Sequence, residues 1–576
     1  MTASAPQSRD LAQRLQHAAD LLNTGRPADA RLAAERVLET HPDHPLALYL
    51  LGGAAKLEGH FRAAERSYRK ALEIDPTQPQ VRLALAKALH ADGRLAAAIA
   101  ELKRATEDQP RYLAAWLELG DRLLGSGDPE AAVEAFSAAL RLKPGSPSAE
   151  TGLARARLAS GDVETARAAL EDIVRREPNR VASRFYLGRA RRLDGEPEAA
   201  VAALGPLVSQ NDAAAEALQE AARAAYEAGD EDGALRLLER AAASAPYAAG
   251  VHRDLAQIRF MTGRDDALAS FERVLDAGRA PPELLSAYVA TAIAVDASDP
   301  AARRFERALG ETEHPVLRDA EGRLALARGR AADAVASFRR AVAADPANAI
   351  YVQNLAAALL EAGDPKAAVE TCERALAAAP YDQALLAYIV TGQMMLGDAT
   401  AGGLVDLETF TRRIEVSPPA GHATIEAFNA ALAEELGRLH RAKRRPIDQS
   451  LRGGVQVELS ARVRRNPVVA ALAGQLKAAV ADFIGSLPND PDHPFLSRAP
   501  SDVQFSGFWS VRLSSGGSHV SHIHPQGWLS SAYYVRLPDE IPDAASGEGW
   551  LYLGAPPMPT NPAIEPLLIE PRAGSL

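Results

Sequence analysis

The sequence predicts a mainly α protein, a long solenoid of paired helices followed by a β domain supported by helices. Three observations carry this. Proline recurs at Pro42, Pro76, Pro110, Pro144 and Pro178, each 34 residues after the last, and an alanine (Ala30, Ala64, Ala98, Ala132, Ala166) stands twelve residues before each one. A fixed period of that length is the mark of a stacked-repeat architecture. Apolar residues make up 47% of the chain but aromatics only 5%, which favours close-packed helices over a large aromatic β core. Beyond residue 503 the texture changes, and aromatic and branched residues replace the alanine-rich pattern. At 576 residues the chain is also too long for one ordinary core.

The opening, MTASAPQSRDLAQRL, has no apolar core behind a basic cluster and is not read as a secretion signal. Residues 1–10 are expected to be a disordered tail, with the array over 11–400. Residues 113–146 show the repeat best, with Trp116, Leu119-Gly120, Ala132, Phe136, Ala139 and Pro144. Gly120 lets the first helix lie close to its partner, and Ala132 is small where the second helix crosses it. Phe136 fills the gap between neighbouring units, and Pro144 cannot continue the second helix. This pattern resembles the tetratricopeptide repeat at nearly every diagnostic position. The phase slips by one residue over 249–278, degenerates over 279–314, and returns at Gly322, Ala334, Phe338, Ala341 and Pro346. The single cysteine, Cys372, excludes an intramolecular disulfide or a cysteine zinc site and reads as a small buried hydrophobe.

Such arrays bind proteins or peptides in the groove lined by the first helix of each unit. The ninth position of the unit falls on that side, at Lys87, Asp121, Arg155, Arg189, Arg223 and Arg323. A ladder of guanidinium groups suits an acidic peptide or a terminal carboxylate, whereas cations paired with groove carboxylates would have no such role. The net charge of −11 argues against non-specific nucleic-acid binding as the main task. No run is read as reaching the roughly 18 apolar residues of a membrane span, so no nucleic-acid or membrane partner is expected. The expected location is the cytoplasm, and the sequence does not fix the oligomeric state.

A Gly-rich break at 400–403 marks the boundary to a second domain, 404–576. Helices are predicted over 425–439 and 466–487, the latter from Val469, Leu472, Leu476, Val480 and Phe483 at helical spacing. The basic run 441–446 between them reads as a solvated helix end. Strands are predicted over 503–513, 528–537 and 549–554. Between the first two lies Gly516-Gly517-Ser518-His519-Val520-Ser521-His522-Ile523-His524-Pro525. On an extended strand His522 and His524 share a face, and two neutral imidazoles are half of a first-row metal site. By the same alternation His519 falls on the opposite face. Tyr533, Tyr534, Trp509, Trp528 and Trp550 read as packing residues.

These segments, with Arg452-Gly453-Gly454-Val455-Gln456 upstream and Gly549-Trp550-Leu551-Tyr552-Leu553-Gly554 downstream, resemble the 2-oxoglutarate/Fe(II) oxygenases that follow tetratricopeptide repeats in bacteria. The resemblance implies a double-stranded β-helix, or jelly roll. Fe(II) would sit on an H-x-D/E pair and a distal histidine, with an arginine anchoring 2-oxoglutarate. His522 then takes the first ligand position, and His524 the position that usually holds a carboxylate. None of the 13 histidines follows His524, and the only later arginines are Arg536 and Arg572. The jelly roll is therefore expected to lack its C-terminal strands, the iron and cosubstrate site to be incomplete, and the chain to be inactive in this form and without cofactor. Two functions follow: an array that presents a partner to an oxygenase domain, or a non-catalytic scaffold carrying an oxygenase remnant. A cupin reading, from Gly516 ahead of the H-x-H, ranks last because Trp528 and Leu529 stand where a glutamate is needed.

Overall fold

The computed structural model describes residues 5–278, 280–309, 313–398, 401–447, 449–463, 465–538 and 547–576. They fall into two compact units, 1–204 and 205–576. Antiparallel helix pairs build the first unit and more than half of the second. First helices of successive pairs begin at residues 45, 79, 113, 147, 181, 215 and 249, then at 282, 315, 349 and 383. The spacing of 34 thus drops to 33 twice and then recovers. The degenerate stretch still forms a pair, Pro282–Ala294 and Ser298–Leu309.

The repeat residues act as the spacing requires. In the first unit, Phe136 lies buried between two first helices. A Cβ added at Gly120 would come within 2.6 Å of its ring, and one at Gly152 within 2.3 Å. In the second unit, Phe338 fills the corresponding place beside Gly322. Second helices often start on an aspartate whose carboxylate accepts an N-terminal amide, as Asp128 does from Ala131, satisfying a donor the helix leaves open. Cys372 is buried and unbonded. Burial pushes its thiol up to about 12, so it behaves as the hydrophobe expected.

Two expectations about the array's surroundings are corrected. Residues 5–10 are not a disordered tail, since they open the helix Ala5–Asn23; residues 1–4 lie outside the described residues, as does Thr400 in the Gly-rich break. One helix, Pro467–Ser486, is long and apolar enough by length and composition to cross a membrane. Counting only continuous apolar residues missed it, because Lys477 and Asp482 interrupt the run. Its buried stripe of Val469, Leu472 and Leu476 packs with Phe428, Leu432 and Leu436 of the helix Ile425–Leu439, forming a local core.

The strands in the second unit are β1 (Leu451–Glu458), β2 (Trp509–His519), β3 (Leu551–Leu553) and β4 (Leu567–Ile569). They pair as two antiparallel ladders, β1 with β2 and β3 with β4. Among the described residues, 528–537 form no strand. Tyr534 exchanges backbone hydrogen bonds with Gly574 and Ser575, while Ile414 exchanges them with Leu576 and the Val416 amide donates to the Gly574 carbonyl. The strand predicted there is thus replaced by irregular backbone tied by two hydrogen bonds at Tyr534.

The basic run is a solvated helix end only in part. Arg441 and Lys443 are exposed, but Arg445 is 5% exposed, and the backbone at 443–444 bonds the repeat helix carbonyl of Met261 in the same unit.

Candidate functional site

Two glycine pairs set up the site. In the β1–β2 ladder, Arg452 pairs with Ser518 and Gly454 with Leu513, and the register shifts between them. The chain at 514–517 bulges out at this point. A Cβ on Gly517 would stand 1.9 Å from the Gly453 carbonyl oxygen, and one on Gly454 would stand 2.6 Å from that of Arg512. Only glycine allows backbones to approach this closely. The crossing brings His519 opposite Leu451, and the Val520 amide donates to the Ser450 carbonyl at 3.0 Å.

His522 and His524 lie beyond the end of β2, in the loop rather than on a strand, and still converge. Their Nε2 atoms are 3.1 Å apart. His522 Nδ1 donates to the Val520 carbonyl at 2.8 Å, which leaves its Nε2 lone pair facing His524. The His524 ring stacks on Trp509 with centroids 5.7 Å apart. Trp509 is thus a partly exposed wall of this site and not a core residue. The Trp528 indole stacks on Phe495 at 4.3 Å and donates to its carbonyl, which anchors the loop downstream.

Strand alternation misplaced His519. Its ring centroid is 6.0 Å from that of His522, because the loop folds back after residue 520. Ser450, which carried no sequence signal, is the hub. Its Oγ lies 2.9 Å from His519 Nδ1 and 3.4 Å from His522 Nε2. Loss of hydration, followed by repulsion from neighbouring imidazoles, lowers the pKa of both His519 and His524 below the usual histidine value. Both rings are therefore uncharged at neutral pH, the state in which imidazole binds metals.

The donor set fits part of an iron site. Two nitrogens about 2.1 Å from one ion, at right angles, stand about 3.0 Å apart, close to the separation of the His522 and His524 Nε2 atoms. The hydrogen bond on the far nitrogen of His522 is the usual second contact of a ligating histidine. Among the described residues, no group of three or more His, Cys, Asp or Glu side chains could hold a metal. Arg536 is exposed, and Arg572 pairs with Glu570 at 3.2 Å. Tyr533 donates to Asn429 Oδ1 at 2.7 Å and packs into the local core.

Most groove cations already have partners. Lys87 lies 3.3 Å from Glu118, and Arg155 lies 2.7 Å from Asp121 with its guanidinium over Tyr186. In the second unit, Arg223 bonds Asp254 at 2.7 Å, and Arg323 bonds Asp319 at 2.8 Å. Arg189 is exposed and has no ion-pair partner among the described residues.

Comparison with known proteins follows this division of the chain. Residues 55–120 and 123–190 match one tetratricopeptide-repeat model, and 15–79 and 320–383 match another. Residues 507–576 match the family described as "Putative 2OG-Fe(II) oxygenase". The chain carries tetratricopeptide repeats across its N-terminal region and an oxygenase-family segment at its C-terminal side. No curated protein matches it. Among solved structures, a tetratricopeptide repeat protein from Parabacteroides merdae is 15% identical, with TM-score 0.38, covering 43% of this chain and 98% of that one. Yeast Tom70 is 15% identical, with TM-score 0.34, covering 67% and 96%. YrrB, described as a repeat protein with an unusual peptide-binding site, is 19% identical, with TM-score 0.26, covering 30% and 88%.

Proposed function

We propose that the repeats hold a protein or peptide partner and present it to the oxygenase-family segment, where His522 and His524 bind a first-row divalent metal. One observation carries the reading: the two Nε2 atoms converge to 3.1 Å while His522 Nδ1 is committed to Val520. Iron(II) with 2-oxoglutarate, when bound, supplies oxidation of a C–H bond of the partner. The chain's own residues supply the rest. His522 and His524 hold the ion, the Val520 carbonyl fixes the His522 imidazole through Nδ1, Ser450 fixes that of His519, and Trp509 shields His524 from water. In the groove, Arg189 is the cation best placed to meet an acidic segment of the partner.

A second reading is favoured by the two-donor set among the described residues. Here the array is the working part, and the C-terminal segment binds metal weakly or not at all. Titration of the full chain with Co(II), followed by absorption spectroscopy, separates the two. Under the first reading a protein-bound spectrum appears and is lost in both His522→Ala and His524→Ala. Succinate formed from 2-oxoglutarate with Fe(II), and abolished by the same substitutions, would establish the oxygenase. Cobalt uptake unchanged by either substitution would refute the metal site and leave the scaffold.

A further inference from the structure

The basic run 441–445 crosses the carboxyl ends of the first helices of three successive pairs within the second unit. Arg441 lies over Gly229, the C-cap of the helix Ala215–Ala228; a Cβ there would come within 2.9 Å of its Nη1. The amides of Lys443 and Arg444 both donate to the carbonyl of Met261, the last residue of the helix Ala249–Met261, at 2.9 and 3.1 Å. Arg444 also reaches Asp265 at 3.0 Å. Arg445 donates to the carbonyl of Ala294, the last residue of the helix Pro282–Ala294, at 2.8 Å, and reaches Asp296 at 3.4 Å. The guanidiniums of Arg444 and Arg445 lie over the Phe260 ring, 5.3 and 5.5 Å from its centroid. Carboxyl ends of helices carry partial negative charge and unsatisfied carbonyls, so a row of them attracts cations.

Two of the three receiving repeats, those at 249–278 and 282–309, are also the irregular ones. In the neighbouring pairs the turn between helices is made by a glycine in the left-handed region, such as Gly229, Gly263, Gly329 and Gly363. In the pair 282–309 that place is taken by Asp296, at φ 59, the only non-glycine residue with positive φ among those described. The strain of a left-handed aspartate is tolerated where the surrounding structure uses it. Its carboxylate, at the surface, supplies the counter-charge to the buried Arg445, a group that is costly to bury unpaired.

We propose that residues 441–445 form an intramolecular clasp, a basic ribbon received by the row of negative helix ends at 229, 261 and 294, with Asp296 retained in place of the turn glycine to receive it. The degenerate repeats are then the docking site of the C-terminal domain and not decayed partner-binding units. Met558 and Ile564 pack on the repeat helices at another point, so release of the clasp frees one end of the domain and does not detach it.

Two readouts on the full chain test this. They are tryptic cleavage after Arg441, Lys443 and Arg444, and hydrogen exchange of the Lys443 and Arg444 amides. Asp296→Gly is the discriminating variant, because glycine suits a positive φ and the array keeps its fold. The clasp requires both rates to rise, by about tenfold, in Asp296→Gly and in Arg445→Ala, and the wild-type rates to rise with added salt. If Asp296→Gly stabilises the protein and leaves both rates unchanged, Asp296 is only a strained turn and the proposal fails. Rates that rise in Arg445→Ala but not in Asp296→Gly would equally remove Asp296 from the clasp.

Discussion

His440 shows how much one buried ring can control. It closes the helix Ile425–Leu439 and bonds Ser510 Oγ through Nε2 at 3.0 Å. Burial, and then the nearby Arg512, lower its pKa to about 4, against about 6.5 in the unfolded chain. Between those values the unfolded state binds more protons, so stability falls as the pH drops from 6.5 to 4. The loss attributable to this ring is about 2 kcal/mol between pH 7 and pH 5. Urea unfolding of wild type and His440→Gln should show the wild type's advantage shrinking by that amount over the interval. An advantage independent of pH would refute the assignment. Histidine contacts of this kind were only partly legible in the sequence. The spacing of His522 and His524 announced a shared face, whereas Ser450 and His519 join them through a loop reversal that no residue pattern encodes.

At the scale of elements, the helices were legible and the strands only in part: 503–513 and 549–554 overlap β2 and β3, whereas β1 and β4 gave no signal and 528–537 forms no strand. Proline, alanine and glycine at fixed spacing reflect contacts within one repeat and with its immediate neighbour, so the signal is local and repeated. The strands β1 and β2 pair across more than fifty residues, and 528–537 pairs with the segment 574–575. Neither arrangement leaves a local periodicity to read. The basic run 441–446 was partly misread for the same reason, since its receiving carbonyls at Met261 and Ala294 are distant in sequence. The β1–β2 crossing gives a test at this scale. Gly517→Ala places a methyl group against the Gly453 carbonyl oxygen, at 1.9 Å before relaxation. The ladder must shift, and His519 and the 522–524 loop shift with it. Cobalt binding should weaken at least tenfold although every histidine is kept; retained affinity would show that the crossing does not position the site.

The whole molecule combines a stacked array, in which each pair touches mainly its neighbours, with a C-terminal domain whose contacts span long stretches of sequence. Damage in the array should therefore stay local. Phe136→Ala removes the ring wedged between Gly120 and Gly152 and should cost about 3–5 kcal/mol. Hydrogen exchange should quicken in the helices Leu113–Gly125 and Pro147–Ala159 and remain unchanged in the helix Ala349–Glu361. Faster exchange throughout would mean that the array unfolds as one block. The crossing of the two glycine pairs obeys a different logic, and it bears on inheritance. Gly453, Gly454 and Gly517 leave no room for a side chain between two backbones, so a substitution at one cannot be rescued by a change at another. Selection would see them as a single character, kept or lost together, while the loop they present remains free to vary.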